Sequence, residues 1–252
     1  MGKTKGKGSS TRQQRELWAA IDEAIAGWVA EGLVEGTEWA GQPLILTPLP
    51  KAKGTYFDQL AVERVLKFFL LLRQLIGRHA GHPFRLLDWQ VRYLIAPVFG
   101  IKRADGLRAI RTVWFEIPRK NGKSTLCSGL GLYLAFADRE AGAQVFAAAG
   151  DKDQARIVFG AARDMVTGSP ALRKKLGRGL QRHLLEHPVT HSIFRAVSAD
   201  GDRQHGLNVH GGIIDEVHVH KNPDVIDAIE TGVGSRVQPL IVFITTADDG
   251  ED

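Results

Sequence analysis

One cysteine, Cys127, stands in 252 residues. No disulfide can close within the chain, and nothing in it calls for an oxidising compartment. Long hydrophobic runs are also missing: the stretch from Val65 to Leu72 is broken by Lys67 and falls far short of the roughly 20 residues that span a bilayer. No membrane segment is therefore expected. Residues 1–10 set Lys3, Lys5 and Lys7 among glycine and serine, lack the apolar stretch of a signal peptide, and read as a disordered basic tail. A cytoplasmic protein is the simplest reading. Neither a repeat of fixed period nor a sustained heptad is present, which removes solenoid and coiled-coil architectures.

Apolar residues make up 44% of the chain and charged residues 24%, a balance that builds a folded core rather than a disordered chain. A net charge of +5 favours a polyanionic partner without locating it, and a solvated surface accounts for the same number equally well. Residues 13–31 place Leu17, Trp18, Ile21, Ile25 and Trp28 at helical spacing. After an irregular connection with a short extended piece at 44–47, Asp58 is positioned to cap a second helix. Its apolar face runs through Leu60, Val62, Val65, Leu66, Phe69 and Leu72 and ends near Gly77. Residues 11–85 thus read as an N-terminal helical subdomain.

From residue 86 to 252 the pattern changes to helices alternating with short β-rich runs, which predicts a mainly parallel central sheet covered by helices. Strands are expected at Thr112–Ile117, Gln144–Ala148, Ser192–Val197, 212–215 and 240–245, mostly as continuous apolar runs of the kind that buried parallel strands show. Helices are expected at 124–137 and 151–166, the second capped by Asp151.

The first of these strands runs into Pro118, Arg119, Lys120, Asn121, Gly122, Lys123, Ser124 and Thr125 and then into a helix. A phosphate-binding loop needs this context: backbone N–H groups around the phosphates, a helix N-terminus aimed at their charge, and a lysine reaching the β- and γ-phosphates. Gly122 permits close approach, Lys123 is the lysine, and Ser124 is a ligand for Mg²⁺. The match is partial, because Ile117 stands where the loop's first glycine is expected. Its partner lies about ninety residues on, where Gly211, Gly212, Ile213 and Ile214 lead into Asp215 and Glu216. An apolar strand ending in two carboxylates supplies a metal-holding aspartate and a glutamate that activates water, so ATP and Mg²⁺ are the expected ligands.

At this point the residues resemble the ATPase domain of the large terminase subunit of tailed bacteriophages, a DNA-packaging motor. The resemblance rests on the glycine-poor loop at 119–124; on Tyr56, Phe57 and Asp58, with Ala61 to Val65, Pro83 to Leu86, and Trp89 with Gln90 upstream; on Ser198 to Gly201 with His205 to Leu207 before the carboxylate strand; and on Ile244 to Ala247 after it. It covers about residues 55–250. The resemblance implies an α/β P-loop NTPase fold of the additional-strand, conserved-glutamate type. It also implies adenine contact by Gln90 beside a pocket shaped by Trp89, a phosphate-loop arginine at Arg119, and a coupling motif at Thr245 and Thr246. Arg203 is the favoured arginine finger acting across subunits, with Arg156 and Arg163 as competitors. The implied partners are double-stranded DNA, further copies forming a ring on a portal protein, the portal itself and the small terminase subunit, in the host cytoplasm.

Large subunits of this family also carry a nuclease domain. None fits after Thr246, so the expectation is an ATPase portion without nuclease activity, with Asp248, Asp249, Glu251 and Asp252 beginning a linker. Two other readings stay open: a different P-loop nucleic-acid translocase or helicase, and a nucleotide-binding assembly module with little or no hydrolysis, which Ile117 favours. His205, His210, His218 and His220 read as a polar loop rather than a metal set, and Phe146 and the other aromatics as core.

Overall fold

The computed structural model describes residues 37–39, 42–44, 55–118, 120–149, 152–197, 206–216 and 224–246. The basic tail, the helix expected at 13–31, the Asp151 cap, Arg119, Arg203, His205, His218, His220 and the acidic residues after Thr246 lie outside them. Of the extended piece expected at 44–47, only Leu44 is described, as the last residue of a strand.

The described residues fall into two compact units. The first takes those up to Val62 together with Leu86–Ala109, and the second takes Glu63–Arg85 and everything from Ile110 on. This division interleaves the chain instead of cutting it once at residue 86.

In the first unit, strand β1 (Thr37–Trp39) pairs antiparallel with β2 (Gln42–Leu44), and β3 (Tyr56–Phe57) pairs antiparallel with β4 (Ile101–Lys102). Helix α1 (Gln59–Phe69), which belongs to the second unit from Glu63 on, begins as expected, with Asp58 Oδ1 accepting from Ala61 N at 3.0 Å. It stops earlier than the apolar pattern suggested. The chain turns after Phe69, and Phe84 N returns to Leu72 O at 3.0 Å. Leu60, placed on the apolar face by its spacing, is 65% exposed. The short helix α2 (Asp88–Gln90) continues as a π-helix over Val91–Gly100 that contains Pro97. Proline offers no N–H to an α-helical ladder, and at this helix's end Ile101 N donates to the Pro97 carbonyl.

The second unit holds a six-stranded sheet made of β5 (Thr112–Ile117), β6 (Gln144–Ala148), β7 (Leu185–His187), β8 (Ser192–Val197), β9 (Val209–Asp215) and β10 (Leu240–Thr246), in the order β5-β10-β9-β6-β8-β7. Every neighbouring pair is parallel except β7 with β8. The strand β10 therefore separates the phosphate-loop strand β5 from the carboxylate strand β9, as the additional-strand class requires.

Helices cover both faces. Helix α3 (Lys123–Phe136) is buried from Leu126 to Phe136 and packs with α4 (Lys152–Gly168) on one side of the sheet. The apolar character of α3 all round its axis is what a central helix needs. A further helix, α5 (Pro170–Leu176), is capped by Ser169, and α6 (Asp224–Thr231) closes the other face, where Val225 and Ile229 join Phe146, Ile214, Ile241 and Phe243 in one cluster.

Two adjacent glycines let both layers press on β9. A methyl group on Gly211 would meet Leu134 of α3 at 2.9 Å, and one on Gly212 would meet Ile229 of α6 at 2.7 Å. Successive strand residues face opposite sides, so one glycine serves each layer. The edge strand β5 departs from the continuous burial of its neighbours: Trp114 is 61% exposed and stacks on Phe243 at 5.6 Å. Among the described residues no helix is long and apolar enough to cross a membrane.

Cys127 is buried in α3, and burial pushes its thiol well above the ordinary range, with the Asp215 charge adding to the shift and Lys123 opposing it. Because the thiolate is the reactive form, the native chain is expected to resist alkylation at neutral pH and to label fully once denatured. Mass spectrometry before and after denaturation checks this.

Candidate active site

The site forms at the C-terminal edge of β5, β10 and β9. Register places Ile117 beside Thr246, and Ile244 beside Asp215, so the ends of the three strands lie along one edge. The departure at Ile117 has a local explanation: the residue is 4% exposed and still paired within the sheet, so β5 continues through the position where a glycine is expected.

Beyond it the chain turns within five residues. Asn121 Nδ2 donates to the Pro118 carbonyl at 3.2 Å, and Lys120 and Gly122 both adopt left-handed backbone, at φ 67° and 73°. Gly122 is the N-cap of α3, offers no side-chain cap, and is followed by no acidic residue in the first turn. The opening N–H groups of Lys123, Ser124 and Thr125 have no carbonyl within their own helix to bond. Unclaimed donors, aligned dipoles and a lysine together form an anion site.

The Lys123 ammonium turns toward the carboxylates. It donates to Glu216 Oε1 and, at 2.8 Å, to Thr246 Oγ1, and lies 3.5 Å from Asp215 Oδ1. The Thr246 hydroxyl donates in turn to Glu216 Oε1 at 2.9 Å, closing a three-residue ring. Glu216 has left-handed backbone at φ 49°, and its N–H donates to Asp215 Oδ1 at 3.0 Å. A glutamate at positive φ is an uncommon conformation that tends to be retained at functional sites. Burial raises the Asp215 carboxyl above the usual carboxylate range; the Lys123 charge opposes this and the Glu216 charge adds to it.

The donor set fits a nucleotide with a hard divalent cation. Among the described residues no group of three His, Cys, Asp or Glu side chains is able to hold a metal by itself. A magnesium ion here would take oxygens from Asp215, Ser124, water and the nucleotide phosphates, the mixed shell that this ion favours.

The fold thus brings together the loop from Pro118 through Thr125, apart from Arg119, with Asp215, Glu216 and Thr246. Thr245, the neighbouring coupling candidate, is buried within β10. Gln90 belongs to the first unit, where its Oε1 accepts from Leu87 N at 2.9 Å and closes a local turn; Trp89 beside it is buried. Of the competing finger candidates, Arg156 is exposed on α4 and Arg163 pairs with Asp164 at 3.2 Å. His210 corrects the polar-loop reading, since it lies wholly buried inside β9. Its position within an otherwise apolar run was the available signal. A cavity of about 700 Å³, lined among others by Phe68, Tyr133, Phe136 and Lys175, lies at the opposite end of α3 and contains none of the candidate residues. The site is therefore assigned by chemistry rather than by concavity.

A family model for the ATPase domain of the terminase large subunit matches residues 88–252. The large terminase subunit of Enterobacteria phage HK97 is 30% identical over 190 residues, which cover 73% of this chain and 36% of that protein. The crystal structure of the HK97 large terminase aligns with a TM-score of 0.61 at 30% identity, over 73% of this chain and 37% of its own. The large terminase ATPase domain of Thermus phage P74-26 aligns at 27% identity with a TM-score of 0.44, over 55% of this chain and 60% of its own. This chain therefore spans little more than a third of the HK97 relative's length.

Proposed function

Because this chain belongs to the family of terminase large-subunit ATPase domains, we propose that it hydrolyses ATP and that hydrolysis drives double-stranded viral DNA into a procapsid. The observation that carries the reading is the Lys123 ammonium held between Glu216, Thr246 and Asp215 at the end of the sheet. Those groups supply phosphate neutralisation, a metal ligand and an acceptor for the proton of attacking water, the parts phosphoryl transfer requires.

In this reading Lys123 leaves Glu216 to bind the β- and γ-phosphates, while the first N–H groups of α3 and the loop from Pro118 through Thr125, including Arg119, Lys120 and Asn121, surround them. Ser124 and Asp215 hold Mg²⁺, which when bound neutralises charge on the phosphates. Glu216, freed of the lysine, orients and deprotonates water. Thr246 loses the Lys123 hydrogen bond in the same exchange and keeps the one to Glu216, so β10, with Thr245, relays the state of the site. Gln90 contacts adenine, and Arg203 from a neighbouring copy completes the site. The motor acts as a ring on the portal, with the small terminase subunit, in the host cytoplasm.

Phosphate release measured with and without double-stranded DNA tests the coupling. Stimulation by DNA is expected. A folded chain that binds ATP but releases no phosphate under either condition would instead support the assembly-module reading.

A further inference from the structure

The helix carrying the phosphate loop and the strand carrying the carboxylates are joined at both ends. At the catalytic edge Lys123, the first residue of α3, meets Asp215 and Glu216 at the end of β9. At the opposite edge His210 Nε2 lies 2.8 Å from Asp138 Oδ2, with the two side chains 0% and 7% exposed. Asp138 follows the last turn of α3, its N–H bonding Tyr133 O at 3.0 Å, and His210 is the second residue of β9. Helix and strand run antiparallel, so each end of one is tied to the opposite end of the other.

Each member of the pair breaks a local rule. A carboxylate at a helix C-terminus faces the negative end of the helix dipole, and an imidazole in a central strand gives up hydration. Neither residue is favourable alone. Together they bond through Nε2 and Oδ2, leaving His210 Nδ1 buried without a hydrogen-bond partner among the described residues, and local rules broken in concert mark a functional constraint.

The two ties also differ in what nucleotide binding does to them. Lys123 exchanges carboxylate for phosphate, so the tie at the catalytic edge is remade in every cycle. Asp138 and His210 lie at the other end of an α3 that is about 20 Å long, beyond reach of the phosphates. We propose that Asp138 and His210 are positioning residues, a permanent anchor that holds α3 and β9 in register while the Lys123 tie opens and closes. This deepens the ATPase reading and rests on it.

Removing one partner takes a buried hydrogen bond from the other, which unfolds proteins for reasons unrelated to register. The decisive variant is therefore the double replacement Asp138→Leu with His210→Leu, compared with His210→Gln, which keeps a donor toward Asp138. Each is measured for melting temperature, for kcat and KM with Mg²⁺-ATP, and for amide hydrogen exchange over residues 213–216. In the double variant the melting temperature is expected to stay near that of the parent while kcat falls about tenfold to hundredfold, the usual effect of small misplacement. KM should move by less than about threefold, and exchange at 213–216 should quicken. His210→Gln should retain most of kcat. Parental kcat and exchange in the double variant would overturn the proposal, as would a His210→Gln chain as slow as the double variant. If the parent itself releases no phosphate, it is the ATPase reading that fails, and the exchange measurement alone decides the anchor.

Discussion

Replacing Glu216 by glutamine is expected to lower ATP turnover by about 10²–10⁴-fold, the range contributed by a positioned general base, while ATP binding is kept or tightened. The Glu216 carboxylate accepts from both Lys123 and Thr246 before nucleotide arrives. An amide of the same shape still accepts through its oxygen, so the local geometry survives, but it does not take a proton from water. Removing one negative charge next to the phosphates also lowers repulsion and loosens the hold on Lys123. Equilibrium binding of ATP alongside single-turnover phosphate release separates these effects. Loss of binding together with turnover would assign Glu216 to holding the nucleotide instead.

Gly131→Val is expected to destabilise the second unit by about 3 kcal/mol, the upper part of the range for overpacked cores, and to lower the melting temperature by roughly 6–12 °C. Gly131 lies in the buried middle of α3, and a methyl group there would stand 2.6 Å from the Phe194 ring. The ring has nowhere to retreat: Phe194 is fully buried on β8 and packs edge-on against Phe159 of α4 at 5.7 Å. Helix propensity taken alone predicts the opposite sign, since glycine costs a helix interior about 1 kcal/mol relative to alanine. Gly131→Ala is therefore the sharper comparison. Close approach of helix and sheet predicts that it too melts lower than the parent in a calorimetric scan, whereas a gain would show that α3 has room to move outward.

The sheet was legible where a strand reads as a run of apolar and β-branched residues, on the half-exposed edge strand β5 as well as in the buried centre. Thr112–Ile117, Gln144–Ala148 and Ser192–Val197 appear as the sequence pattern outlined them, and β9 and β10 differ only at their ends. What escaped the pattern is short or irregular. Strand β7 is three residues long and carries Glu186 and His187, so it has no apolar run to announce it. The π-helix carries a proline inside an apolar segment, which periodicity alone reads as a break.

At the site, Lys123, Asp215 and Glu216 could be named because each stands in or beside the segment that follows a strand, and Thr246 because the family resemblance implies a coupling motif there. The Asp138–His210 pair could not, because its members lie 72 positions apart and each looks like an error in its own element. Pairing of that kind becomes visible only when helix and strand are laid side by side.

Phosphate release from ATP with and without Mg²⁺, comparing the parent chain with Lys123→Ala, decides whether this site hydrolyses ATP. Release is expected to require the cation and to fall to background in the variant, with the circular dichroism spectrum unchanged. A folded Lys123→Ala chain that releases phosphate at the parental rate would contradict it, since no other lysine among the described residues meets Asp215 and Glu216.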